Sequence, residues 1–545
     1  MFPFNIIKRS YEHKVDATGL AVFRIVYGVT LFLQILYLSY FQKLIFVYHT
    51  SSHRIVLILW LFVSFLLIIG WKTRMAAIIN YLYSILVLNS LYGDNRYVYD
   101  YDKIMIAANF LLMFLPVSRV LSVDHWIKGR RPDSREDTDT SISILFYYIP
   151  MFLCLGIPYI DSVYHKLLSM NWLTGVGIWI PMSMPQMTWP PFWDFSLVLN
   201  NRLISDIMNY LTMLFELTFI FTFWFRRMRL ILFVIGIGFH IGILLIFPIP
   251  VFALGCASFY ILLLPQEWWR KLVPGHKITN STGSGEAKNK NTKVSLPKDS
   301  RKIYLIASFF ILSTCMQLGY FFDYVFDYNY GGKPVLINYK HDFTKKQWKM
   351  IDGLITINKY LLPVYKSFFG IGPHDVMLDN QCEDYDLIWA VVYTDREGRE
   401  QWLPIINKDG HPGFYAMDRG WSKWTHYVRR CHMLSSNRGV IAYKNRRKNY
   451  SVKSLKLESS SRDVKPVLVR FIEFWCSKND VQCETGQFTL KERGVIASRS
   501  WQHNILKKQK NFSWADIGDI HVTADNIVVD IYKEHFGEHL EFQRD

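Results

Sequence analysis

No CxxC pair occurs in the 545 residues, so neither a thioredoxin-like centre nor a zinc ribbon is expected. P-loop, GxSxG and GxGxxG constellations are missing too, which removes the commonest signatures of nucleotide, acyl and dinucleotide chemistry. Near the N-terminus no short apolar stretch ends in a small-residue cleavage site, and no removable signal peptide is expected. Internal repeats are also lacking, which weakens a transporter reading built on inverted halves. Acidic residues are in deficit, 45 against 62 Lys and Arg, for a net charge of +17. In a soluble chain that excess would suggest nucleic acid. Here the basic residues fall mostly between apolar runs or in the tail, so orientation in a bilayer accounts for part of them first, and no nucleic-acid partner is expected.

What the chain has in abundance is apolar and aromatic residues, 51% and 16%. The mean hydropathy is only +0.10, so the apolar excess is concentrated in part of the chain. Runs near twenty residues are required to cross hydrocarbon, because only a helix satisfies its own backbone there. Nine candidates fit: 17–41, 54–70, 75–92, 103–117, 141–163, 204–225, 229–248, 250–265 and 303–321. Two of them, the fourth and the eighth, are short. Loops rich in Lys and Arg recur on one side of such a count, at Lys8, Arg9 and Lys14, at Lys72 and Arg74, at Arg119 to Arg131, at Arg226 to Arg229, and from Arg270 to Lys302. Short basic loops face the cytoplasm, which puts the N-terminus there and everything after Tyr320 outside.

The expected fold class is therefore a membrane all-α bundle of about nine transmembrane helices, followed by a mixed, mainly β, soluble extracytoplasmic domain. The expected divisions are a bundle over 1–278, a flexible cytoplasmic linker over 279–302, a last membrane helix at 303–321 and the outer domain at 322–545. Segment 167–203, with Trp172, Trp179, Trp189, Trp193 and several prolines, is expected to form an interfacial or re-entrant cap on the outer face. In the tail, Leu387 to Tyr393, a turn at Asp395 to Gly398 and Gln401 to Ile406 read as a hairpin. Further strands are expected at Val467 to Trp475, Gln487 to Leu490 and Ile527 to Tyr532. Cys154, Cys256 and Cys315 lie in apolar runs as packing residues, whereas Cys382, Cys431, Cys476 and Cys483 allow two disulfides if their side is oxidising. Cys476 and Cys483 could close a small loop, with connectivity open.

An ionised side chain in lipid costs about 2.5 kcal/mol or more, so each needs a reason. Arg24, Asp161, His165, Lys166, Glu216 and His240 are the candidates. Asp161 and His165 share a helical face, and Lys166 follows, an arrangement suited to holding an amine in a partly dry pocket where it acts as a base. The plain alternatives are a snorkelling Lys166, a structural Arg24–Glu216 ion pair, and a hydrogen-bonded packing role for His240. His535 to His539 matches the H-x-x-E-H pattern by coincidence, having a glycine inside it and no room downstream for another ligand; no metal is expected. Asn449-Tyr-Ser451 and Asn511-Phe-Ser513 are glycosylation acceptors only in a eukaryotic secretory compartment.

Taken in order, Phe23-Arg24 with Gly28, Phe114-Leu-Pro116 through Ser118-Arg119, Ser122-Val-Asp124, Lys166-Leu167 with Trp172 and Gly175, Phe215-Glu216, Arg226 to Arg229, Phe239-His240, and Leu264-Pro265 with Trp268 form a pattern. It resembles the vitamin K-dependent gamma-glutamyl carboxylase family, also called the horizontally transferred transmembrane (HTTM) domain, over roughly residues 15–275. The resemblance implies a lyase-class membrane enzyme that uses a reduced, vitamin K-like quinone, oxygen and carbon dioxide to modify glutamate in a secreted peptide, or that only epoxidises the quinone. It further implies Lys166 as the base that deprotonates the quinone, His240 as a group that stabilises a charged intermediate or orients substrate, and Glu216 and Arg24 as holding helices around the pocket. His165 departs from the family, whose animal members carry a second lysine there, and the tail keeps only a faint echo of their large lumenal region. The competing expectation is a non-enzymatic membrane scaffold whose outer domain, 322–545, binds a partner for secretion or cell-envelope assembly. Both place the chain in a bacterial inner membrane or the endoplasmic reticulum, with the lipid bilayer as one partner and a secreted peptide or protein as the other.

Overall fold

The computed structural model describes residues 2–46, 51–91, 99–130, 140–190, 195–265, 268–269, 300–326, most of 363–374 with scattered positions from 353, 387–435, 467–494, 513–523, 526–531 and 539–543. The linker 279–299, Cys382, Trp193 and His535 to Glu538 lie outside the described residues, as do Asn449 to Ser451 and Asn511.

Helices overlap the nine expected ranges, although the fifth opens on a strand at Ser141–Ser143, the fourth ends at Leu112, and nine membrane spans do not follow from them. In chain order the elements are α1 (Phe2–Glu12), β1 (Lys14–Asp16), α2 (Thr18–Tyr40), α3 (Gln42–Ile45), α4 (Ser51–Ile69), α5 (Thr73–Leu91), α6 (Tyr101–Leu112), α7 (Val123–Gly129) and β2 (Ser141–Ser143). They continue with α8 (Leu145–Leu167), α9 (Arg202–Thr222), α10 (Arg226–Ile246), α11 (Pro250–Leu263) and α12 (Ser300–Phe326). Among the described residues four of these, α2, α8, α9 and α10, are long and apolar enough to cross a membrane, and 53–69, 250–263 and 304–318 are shorter apolar helices. Exposed apolar side chains such as Ile55, Phe62, Leu82, Leu211, Phe221 and Val234 cover the outside of the bundle, where water would penalise them. α10 carries few buried residues, Leu232, Gly236 and His240 among them, so one narrow stripe faces inward.

Polar residues of the resembling pattern hold the helix ends. Arg24 donates from Nη1 to Val117 O (2.9 Å) and from Nη2 to Leu121 O (2.5 Å) and Ile68 O (3.4 Å), tying α2 to the end of α4 and to the turn after α6. Asp124 accepts from the backbone N–H groups of Lys72 and Thr73 and from Thr73 Oγ1, each at 2.7 Å, satisfying the orphan donors at the start of α5. Ser122 caps α7 by accepting from His125 N (3.0 Å).

The C-terminal part is a six-stranded antiparallel sheet in the order β4-β3-β5-β6-β7-β8, from β3 (Leu387–Thr394), β4 (Glu400–Trp402), β5 (Gln487–Gly494), β6 (Ala515–Val522), β7 (Asn526–Ile531) and β8 (His539–Gln543). β3 and β4 pair around the expected turn, Thr394 opposite Glu400, with Asp395 Oδ1 accepting from Glu397 N and Arg399 N at 2.9 Å. Two helices pack on the sheet: α13 (Asp418–Ser435) and α14 (Val467–Asn479). The latter corrects the expectation of a strand at Val467 to Trp475. That stretch is buried along nearly its whole length, so no polar face reveals its helical period, and β-branched and aromatic residues mimic a strand. Trp424 and Phe471 meet across the two helices (5.3 Å between ring centroids), and Trp475 packs on Tyr393 and Phe488 of the sheet.

This domain sits on the bundle end that carries the C-terminus of α2 and the N-termini of α6 and α11. Tyr37 Oη donates to Met417 O (2.6 Å), Arg470 Nη1 to Leu44 O (3.3 Å), and Arg419 pairs with Asp102 in full burial. The small β1–β2 sheet lies at the start of α2, the opposite end. In segment 167–203 Trp172 and Trp179 are buried while Met170, Leu173, Leu197 and Leu203 are exposed, and Trp421 Nε1 of α13 donates to Gln186 O (2.9 Å), so part of the segment lies against the C-terminal domain.

Asp418 occupies that junction, accepting from Tyr99 Oη (2.7 Å) and Val251 N (3.2 Å), while its own N–H donates to Pro248 O (2.7 Å). Burial pushes its carboxyl up from 3.8 to about 7, against the lowering effect of those hydrogen bonds. An acid whose pKa rises on folding stabilises the fold below the unfolded value and loses that contribution as pH climbs through the folded one. Thermal stability is therefore expected to fall between about pH 4 and pH 7 and level off above. Asp418→Asn should flatten that slope in melting curves taken across the range, and an unchanged slope would remove Asp418 as its source.

Candidate functional site

The last turns of α8 carry Asp161, His165 and Lys166, and a π-helical turn at Phe152–Gly156 redirects the helix just before them. Lys166 is buried. Its Nζ donates to both carboxylate oxygens of Glu216 on α9, at 2.6 and 2.5 Å, and lies 4.4 Å from the centre of the Trp172 ring. Lys166 and Glu216 are each only 4% exposed, which rules out a snorkelling lysine reaching bulk water. The Arg24–Glu216 pair allowed by the sequence is absent, since Arg24 spends its guanidinium on carbonyls and Glu216 on Lys166. Charge sign alone cannot choose between two cations. The packing of α8 on α9 does.

Asp161 and His165 meet as their spacing requires, Nε2 to Oδ2 at 3.5 Å. No sequence pattern pointed to the third member, His374, whose backbone N–H donates to Asp161 Oδ2 (2.6 Å) and whose ring is buried with both nitrogens lacking hydrogen bonds among the described residues. More than two hundred positions separate it from Asp161, with no spacing rule to connect them. His240 on α10 accepts or donates through Nε2 to Tyr159 Oη (3.0 Å), which in turn meets Tyr260 Oη (2.5 Å). His240 is thus hydrogen-bonded, yet its Nδ1 has no partner among the described residues.

Tyr159, Lys166, Trp172, Glu216, His240 and His374 border one cavity of about 270 Å³ between α8, α9, α10 and α11. The rest of its wall is largely apolar, with Ile243, Ile246, Phe239 and Phe252 among its members, and Asp100, Ser162 and Thr212 add polar groups. Gly238 and Gly242, one helical turn apart on α10, also line it, and a Cβ at either would meet nothing within 4 Å. Gly236 is different, because a Cβ there would land on the Tyr260 ring, so that glycine is needed for packing. An apolar hollow with a few convergent polar atoms suits a flat ring bearing oxygens and an apolar tail. No group of three or more His, Cys, Asp or Glu able to hold a metal occurs among the described residues. Cys476 and Cys483 form a disulfide across the end of α14, with Cα atoms 5.8 Å apart; Cys431 lies in α13, its side chain outside the described set.

The fold and site define a helical bundle built around a buried amine–carboxylate pair beside an apolar cavity, with a mixed domain seated on one end. Residues 12–268 match the family model of the HTTM domain, consistent with the carboxylase-like family that the motif order resembles. No curated protein and no solved structure matches the chain at a significant level.

Proposed function

We propose that the protein is an integral membrane enzyme of the carboxylase-like type, taking a reduced quinone from the bilayer into the α8–α11 cavity, with Lys166 as the proton-accepting group. The observation that carries this reading is the Lys166–Glu216 pair, buried and facing a largely apolar hollow. A reduced quinone, when bound, would supply with oxygen a base strong enough to act on the γ-carbon of a glutamate. The residues of the chain prepare for it. Glu216 holds the Lys166 amine at the cavity wall, where a phenolic proton from the occupant would be taken up by the Lys166–Glu216 pair, while Trp172 covers the amine and limits exchange with water. His240, steadied by Tyr159 and Tyr260, offers Nδ1 to an oxygen of the occupant, and Asp161 holds His374 at the same cavity.

The basic loops then face the cytoplasm and the C-terminal domain faces outward, where a secreted peptide would reach the covered end of the cavity. Purified protein in nanodiscs, given reduced quinone and oxygen, should form quinone epoxide detectable by mass spectrometry. Absence of both epoxide and retained quinone would sink the proposal. Gly242 gives a separate test. Gly242→Ala should raise stability by about 1 kcal/mol, the usual gain for relieving a helical glycine. Gly242→Leu should weaken quinone retention roughly tenfold or more by filling the hollow. Retention unchanged by leucine would place the quinone elsewhere.

A further inference from the structure

A second hollow, of about 440 Å³, lies where α2 and α4 approach the C-terminal domain, away from the Lys166 cavity. Leu36 and Ile58 form its wall and are about half exposed, as lipid-facing side chains of the two helices would be. Two cations close it from different parts of the chain. Arg54 stands at the first turns of α4, and Lys478 near the end of α14, with its Nζ 4.0 Å from the centre of the Tyr40 ring. Neither is within ion-pair distance of a carboxylate among the described residues, whereas Arg419 at the same domain junction has Asp102. Gln42, also on the rim, has its Oε1 buried with no hydrogen-bond partner among the described residues.

We infer that this hollow holds one anionic phospholipid whose headgroup carries a hydroxyl. The inference rests on the membrane reading above, though not on any quinone chemistry. The phosphate would lie between Arg54 and Lys478, a headgroup hydroxyl would donate to Gln42 Oε1, and the acyl chains would run along Leu36 and Ile58. Charge complementarity selects the phosphate, and the exposed apolar wall selects a lipid over a free anion. Because Arg54 belongs to the bundle and Lys478 to the C-terminal domain, the bound headgroup would bridge the two and steady the domain over the bundle end.

The test uses the full chain in nanodiscs of phosphatidylcholine with a minor fraction of phosphatidylglycerol, with native mass spectrometry counting lipids that stay bound. One phosphatidylglycerol should be retained in preference to phosphatidylcholine. The Arg54→Gln/Lys478→Gln variant should lose that preference by about 25-fold, taking each cation near an anionic lipid as worth roughly fivefold. Both side chains are exposed, so melting in pure phosphatidylcholine should match the parent and exclude unfolding as the cause. Equal retention of the two lipids, or retention unchanged in the variant, would overturn the proposal. So would displacement by millimolar glycerol phosphate, which would make the occupant a free phosphate compound. Failure of the protein to enter nanodiscs at all would instead overturn the membrane reading, and epoxide formation in the same discs reports the quinone reading independently.

Discussion

Lys166→Ala is expected to bring quinone epoxidation below detection, a loss of at least the ~100- to 10,000-fold that a positioned acid–base group supplies. The same substitution leaves Glu216 buried without its partner, and stripping one member from a buried ion pair costs about 3–5 kcal/mol. Loss of turnover in the alanine variant is therefore ambiguous between chemistry and folding. Lys166→Met combined with Glu216→Gln removes the ambiguity, because a thioether and a neutral amide carry no charge to bury and approximate the original volumes. That double variant should melt much closer to the parent than Lys166→Ala does, and should still form no epoxide. Turnover near the parental rate in a folded double variant would remove Lys166 from the mechanism.

The second large effect is structural. Arg419→Ala should destabilise the protein by about 3–5 kcal/mol, since Asp102 is fully buried at the start of α6 and Arg419 is its ion-pair partner. The lesion falls where α13 meets the bundle, beside Tyr99 and Asp418. Limited proteolysis should accordingly release the C-terminal domain before the bundle unfolds. Asp102→Asn in the Arg419→Ala background should recover part of the loss by neutralising the stranded carboxylate. If Arg419→Ala melts like the parent, the junction is held by its apolar contacts and by the hydrogen bonds of Tyr37, Arg470, Asp418 and Trp421.

Helix positions were legible because a backbone in hydrocarbon must close its own hydrogen bonds, so a long apolar run admits one structure. The same rule says nothing about helices whose whole surface is covered by protein. Val467 to Trp475 shows the consequence, a helix pressed between sheet and bundle whose composition reads as a strand. At the site, Asp161 and His165 were visible as neighbours four residues apart, and Lys166 stood out as an amine next to an apolar run. Glu216 was recognised as anomalous, but its partner was not. Tyr159, Tyr260 and His374 carried no signal, being ordinary residues whose role comes from what they face.

The sequence by itself determined where helices run, that a different kind of domain follows them, and which ionisable groups lie in apolar surroundings, because these depend on local composition and period. Tertiary structure alone decided that Glu216 belongs to Lys166 and Arg24 to three carbonyls, that Gln186 meets Trp421 of the C-terminal domain, and that His374 reaches the cavity. Those pairings join residues from about 40 to over 200 positions apart, and long-range pairing is set by shape and desolvation across the whole assembly, which no local pattern records.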